Sequence, residues 1–522
     1  LPGSSITPVF DEANDVWETV SVECWEIIAQ AQRSLVRQLA LPAPPHPDAR
    51  LLVVFNSLNW LRTEVVQLDV WVRSEEQQAW QICNLDGTAI AQQYSHRPPG
   101  HSLHCIAFLA EQIPAVGYRA YWLCPCEAPV PQPGSLGDRS YVLENEFLRV
   151  TIDPATGTIA SMIDKIYQRE ILAAPGNQLQ AFADAGQYWD AWNIDPNYAA
   201  QALPAPRLIR IETGQAAFQS EVDRPLSAFQ SRIYVERQLG RSTFQQTYSL
   251  EAGSPILNIA TLVDWQERHV LVKAAFPLNL AANFATYEIP CGAIQRTTKP
   301  QTAAEKAQWE VPALRWADLT ESGRQEAKGR RQRAEGIHSL IDAAPEASYG
   351  VSLLNDCKYG YDAQPNQLRL TLLRGTEWPD PEADKGLHTF SYAIYPHAGD
   401  WQQAQTVRRG YELNMPLHAL ELDIAKVDQA GKLPPVGSLL NLGSENLVLM
   451  TFKQAENSET DWILRCYECH GDEAQLNFQS DLNLKREHAV DLLERPLADM
   501  AEQGQTVTIR PWQIASFKIT NH

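Results

Sequence analysis

The sequence predicts a mainly β, multidomain protein, and three observations carry that prediction. Apolar and polar residues alternate with period two in run after run from Leu51 onward. One long stretch, residues 11 to 40, instead repeats its apolar residues every three or four positions. Two proline-rich breaks, 41 to 48 and 125 to 137, part the chain into units.

The first element is an amphipathic helix over 11 to 40, with Val16, Val20, Cys24, Ile27, Ala31, Leu35 and Leu39 along one face. Asp11 is the expected N-cap, Glu12 and Asp15 suit the first turn, and Arg33 and Arg37 suit the last. No second helix of comparable length follows to cover its apolar stripe, so residues 1 to 48 are expected to be a segment of a helical bundle. Residues 49 to 126 form a small β-sandwich, from LLVVFNSL, TEVVQLDVWV and GYRAYWLC. From 138 to 415 strands recur without intervening helices, which predicts a large antiparallel sandwich. Residues 416 to 522 close the chain as a small terminal β-domain. Within 301 to 345, GRQEAKGRRQRAEG is basic and Gly-punctuated but carries no aromatic residue, so it reads as an exposed loop.

Composition narrows the function. A net charge of -20 argues against nucleic acid and anionic membrane surfaces, which are held by clustered Lys and Arg. No apolar run approaches the roughly 20 residues that a membrane-spanning helix needs, so a soluble protein is expected. The nine cysteines are scattered, which favours a reducing cytoplasm. Cys124-Pro-Cys126 and Cys466-Tyr-Glu-Cys469, followed by His470, invite a metal or redox reading. A zinc site needs four converging ligands, however, and redox pairs open a helix, whereas Cys466 sits in an alternating, strand-like run. Structural thiols are expected.

The densest chemistry lies in GNQLQAFADAGQYWDAWNIDPNY, residues 176 to 198. Tyr188, Trp189, Asp190, Trp192 and Asp195 put rings beside carboxylates. Flat rings stack on the C–H faces of a pyranose, and a carboxylate accepts from two neighbouring hydroxyls. A Trp-rich β protein also buries rings in its core. The same stretch resembles the β-domain of α-mannosidases of glycoside hydrolase family 38. YVLENEFLRVTIDPATGTIASMIDK (141 to 165), VSLLNDCKYGYD (351 to 362), LRLTLLRG, PDPEAD and YAIYPH (368 to 397) resemble that family in the same order, and LPGSSI at the start resembles residues that follow a zinc-binding His-Asp pair.

The resemblance implies a large galactose-mutarotase-like β-sandwich. It also implies a zinc-dependent, retaining α-mannosidase that hydrolyses terminal α-D-mannosyl linkages, with the nucleophile, the acid/base and the zinc ligands in a barrel upstream of Leu1. On this reading the chain itself holds no catalytic residue and no metal ligand, is inactive alone, and walls the mannoside pocket. The Tyr188-Trp189-Asp190 turn would reach the sugar, with Trp192 beside it. The turn after Val351 to Leu354 is a second candidate: Asp356, with Tyr359 and Tyr361 presented outward by a bend at Gly360, although a capped hairpin explains the same residues. Arg374 is the third, as an anchor for a facing carboxylate or a hydroxyl pair, or as an intrasheet ion pair. The expected partners are an α-mannoside or mannose-containing oligosaccharide, the upstream barrel or a separate catalytic half, and a second copy in a homo-oligomer. A stand-alone carbohydrate-binding β-sandwich protein and a subunit of a split mannosidase are the alternatives.

Overall fold

The computed structural model describes residues 5–71, 79–96, 103–126, 141–186, 189–213, 229–321, 348–423, 431–497 and 506–521. Tyr188 and the basic stretch at 323 to 336 lie outside them.

The chain is mainly β and its ladders are antiparallel. Among the described residues the one long helix spans Thr7–Val36, starting four residues ahead of the expected Asp11 cap. Pro8 in its first turn explains the shift, because its fixed φ suits a helix start and its missing N–H is not needed there. A carboxylate does complement the helix N-terminus, but it comes from elsewhere: Asp380 Oδ2 accepts the backbone N–H of Thr7 at 2.5 Å and the Thr7 hydroxyl as well. Gln32 and Val36 are the buried residues of this helix, while Val16, Trp17, Val20, Trp25, Ile27 and Ile28 are exposed.

Strand Arg50–Asn56 pairs with Gly117–Cys126, and Arg62–Trp71 pairs with Leu103–Ile113 in a facing sheet. Leu52, Val54, Val66, Val70, Phe108 and Trp80 fill the space between them. Two strands from beyond the large sandwich, His418–Leu422 and Val436–Ser438, complete the first of these sheets. After residue 415 the chain therefore leaves the nine-stranded sheet and first joins the small sandwich before entering the last unit.

The large sandwich stacks a nine-stranded sheet against five- and four-stranded sheets. Its core includes Val150, Phe244, Tyr248, Trp265, Val272, Phe276, Leu353, Leu370 and Tyr392. Strand Ser242–Glu251 shows the alternation: Phe244, Gln246 and Tyr248 point inward, and Thr247 points out. Helix Thr406–Asn414 packs on the outer side of this sheet through Val407, where Trp316 and Trp401 stack. The last unit sets Leu447–Gln454, Trp462–Glu468, Ile514–Asn521 and Leu484–Val490 against a three-stranded sheet, over Leu464, Leu476, Ile509 and Phe517.

Candidate functional site

The stretch after strand Gln178–Ala183 leaves the sheet and returns as a loop held by one guanidinium. Arg374, at the end of strand Gln367–Arg374, gives its Nε to Asp184, its Nη1 to the carbonyl of Asp190 and its Nη2 to the carbonyl of Asn193. It also lies 3.5 Å from Asp190 Oδ1. Asp184 is buried, and its other oxygen accepts the N–H of Asp195 at 2.8 Å, closing the loop. Gly186 lets the loop close tightly, since a Cβ there would crowd Asp190 Oδ1 and the Asn193 carbonyl at 3.2 Å. At the far end Tyr198 is pinned by Arg369 at 3.0 Å. Arg369 in turn binds Asp362, which is bound by the fully buried Lys273, itself paired with Glu310.

The loop presents rings outward. Trp189 is 56% exposed and Trp192 62%, and they stack with centroids 5.6 Å apart. Trp378, 48% exposed, meets Trp189 at 5.3 Å and Trp192 at 6.3 Å. Trp189 adopts a left-handed backbone, φ 57°, a conformation that costs a residue with a Cβ roughly 1–2 kcal/mol. Strain of this sort persists where surrounding contacts over-determine it, and the Arg374 fork supplies them. Asp190 is buried beneath the rings. Its Oδ2 accepts the Glu377 N–H at 2.7 Å and faces His269 Nδ1 at 3.7 Å, while His269 Nε2 meets Glu377 at 2.8 Å. The Ala191 N–H donates to the Trp378 carbonyl at 3.1 Å, and Asp380, two residues on, caps the N-terminal helix. The start of the described chain and the tryptophan cluster thus share one rim.

The structure brings Trp189, Asp190, Trp192 and Arg374 together. Asp356 is exposed, with Oδ2 committed to the Ser391 N–H at 2.7 Å, and Tyr359 is exposed. Asp384 lies within electrostatic reach of both Lys358 and Arg374, which sets this second turn on the same side of the molecule. Tyr361 is not presented outward as expected. It is 0% exposed, accepts from Asn355 Nδ2 at 2.5 Å and packs near Tyr287, because strand Gly360–Gln364 has already begun and turns its ring into the core. Gly360 is needed for proximity rather than for a bend, since a Cβ would lie 2.5 Å from Glu310 Oε1. Sequence reasoning missed Trp378, His269 and Glu377. Trp378 was findable, since it adjoins the PDPEAD block; an isolated His offers no such signal.

Two arrangements that resemble chemistry are structural. Ser352, His397 and Asp318 converge, but the Ser hydroxyl and the Asp carboxylate meet the same ring nitrogen, at 3.2 and 2.9 Å, and all three are buried. A hydrolytic triad needs opposite ring nitrogens and an open nucleophile. Burial pushes the Cys466 thiol up to about 12 and raises that of Cys469, which suits inert thiols. Among the described residues no group of three or more His, Cys, Asp or Glu is placed to hold a metal ion.

Stacked antiparallel sandwiches with tryptophans and carboxylates gathered at one rim define a multidomain β-sandwich protein. Residues 143–382 match the family described as glycosyl hydrolases family 38 C-terminal domain, and residues 446–517 the family 38 C-terminal beta sandwich domain. Human alpha-mannosidase 2C1 is 30% identical over 99% of this chain and 43% of its own length, and alpha-mannosidase G of Dictyostelium discoideum 28% over 92% and 42%. The chain thus spans less than half the length of these relatives. Among solved structures, a family 38 protein from Enterococcus faecalis superposes with a TM-score of 0.76 at 14% identity, over 99% of this chain and 63% of that one. The chain belongs to glycoside hydrolase family 38 and matches the C-terminal domains of its α-mannosidases.

Proposed function

We propose that this chain supplies the β-domain wall of an α-mannoside site in a zinc-dependent, retaining α-mannosidase, whose barrel carries the nucleophile and the metal. The observation that carries the reading is the exposed Trp189–Trp192–Trp378 cluster over Asp190, a stacking surface beside a hydroxyl acceptor. The rings take the apolar faces of the mannosyl residue or its aglycone, Asp190 accepts from a hydroxyl, and Arg374 holds the loop. Asp356 and Tyr359 extend the rim. No disulfide joins any of the nine cysteines, which supports a reducing, cytoplasmic setting.

The test has two arms. The purified chain should not hydrolyse a nitrophenyl α-mannoside, and appreciable turnover would overturn the assignment of the machinery to another segment. It should show mannose-dependent tryptophan fluorescence that Trp189→Ala removes, and an unchanged titration would overturn the wall. The exposed apolar side of the N-terminal helix favours, as a second reading, a subunit that pairs with a separate catalytic half. Co-purification with such a half would distinguish it from a stand-alone carbohydrate-binding protein, as size-exclusion chromatography would a homo-oligomer.

A further inference from the structure

A cleft of about 920 Å³ lies between the small sandwich and the outer face of the nine-stranded sheet. Its floor is polar in a way that domain packing does not need. Strand register sets Arg232, Ser249 and Asn258 side by side across three strands, and Thr247, Ala260 and Ser391 in the next such row. All six line the cleft. On the opposite wall Val66, Leu68 and Val70 turn into the small sandwich, which leaves Gln67 and Asp69 facing the floor. An amide relay joins the faces, Gln67 to Gln230 at 3.0 Å and Gln230 to Glu251 at 2.7 Å.

The cleft also has a direction. Strand Gly386–Ala398 receives the rim loop that carries Trp378 and Asp380, and three residues along it Thr389 enters the cleft, about 10 Å at ~3.3 Å per residue. Leu387, between them on the same face, is exposed. Ser391, further in, is the residue whose N–H Asp356 holds. Rim and cleft are therefore joined along one strand, whose first three residues alone run about 10 Å, which suits an extended ligand.

We propose that the cleft binds the distal residues of a neutral oligosaccharide whose terminal residue sits at the tryptophan rim, an inference that rests on the reading of that rim as a mannoside wall. Hydroxyls, amides and an Arg offer donors and acceptors together, which polyols need and a purely acidic groove lacks. Burial, with Glu64 nearby, pushes the Glu251 carboxyl up to about 7, and burial raises Glu64 as well, so the cleft carries less negative charge at neutral pH than its acids suggest. That favours a neutral ligand over a polyamine.

The experiment is hydrogen exchange and affinity measured on the chain with mannose, α-linked mannopentaose and spermine. Mannopentaose should bind at least tenfold tighter than mannose and protect the amides of 247–251 and 258–262, which mannose leaves unchanged. Ser249→Ala with Asn258→Ala should bring the pentaose down to the affinity of mannose, without altering the response to mannose. Absence of pentaose protection in these strands overturns the cleft whatever happens at the rim, as does displacement of the pentaose by spermine. Loss of the Trp189-dependent mannose response, with strand protection intact, would instead overturn the rim reading and, with it, the claim that the cleft ligand continues from the rim.

Discussion

Replacing Arg374 by Met removes the group that organises the tryptophan loop. Asp184 is fully buried, and losing its partner leaves an uncompensated charge, a change that costs about 3–5 kcal/mol. The carbonyls of Asp190 and Asn193 lose donors too, but they border solvent and add little. About 4 kcal/mol is therefore expected, concentrated between 184 and 195. A chain of several domains does not unfold in one step, so the readout must be local. At 1.4 kcal/mol per decade, exchange of the Asp195 and Glu377 amides should quicken roughly a thousandfold, while amides of strand Ser242–Glu251 stay within about threefold. Tryptophan emission should shift as Trp189 leaves its left-handed backbone. Arg374→Met combined with Asp184→Leu should recover most of the loss, because removing both members of a buried pair is nearly neutral. Unchanged exchange at Asp195 in the single variant, or no recovery in the double one, would refute the claim that this ion pair holds the loop.

Asp190→Asn keeps a side-chain acceptor for the Glu377 N–H but removes the charge, and a charge-assisted bond is worth about 1.5–3 kcal/mol; mannoside binding should weaken tenfold or more by titration, with the loop still folded by exchange. Glu251 binds its proton more tightly folded than unfolded, so its contribution to stability is greatest below pH 4.5 and is lost as pH rises to about 7; urea midpoints of the large sandwich should fall across that window, and Glu251→Gln should flatten the fall. Cys24, exposed on the helix, should react with a thiol reagent in the native state, whereas Cys466 and Cys469 should stay silent until the chain unfolds, as mass spectrometry of labelled peptides would report.

The sandwiches were legible because strands buried on one face must alternate, and runs such as STFQQTYSLE write that alternation out. Trp189, Asp190 and Trp192 were legible because they are neighbours in sequence. Two of their supports were less so: His269 and Glu377 reach the loop from strands and turns far along the chain, and no local pattern marks which distant residues a fold will bring together. Tyr361 misled because alternation does not carry across a turn, so the exposure of Tyr359 says nothing about a residue two positions later that already belongs to a strand. The helix start misled because a proline outweighed an acidic candidate three residues downstream.

The bond between Thr7 and Asp380 joins residues 373 positions apart. Such a contact has high order and closes only after the intervening chain has found its place, so it belongs to the end of folding rather than the beginning. During synthesis the helix leaves the ribosome well before residue 380 and waits, its N-terminus uncapped, until Asp380 exists to receive it. Early protection by a chaperone, and proteolytic sensitivity of the helix in nascent chains that end before Asp380, are the cellular signatures that this late closure entails.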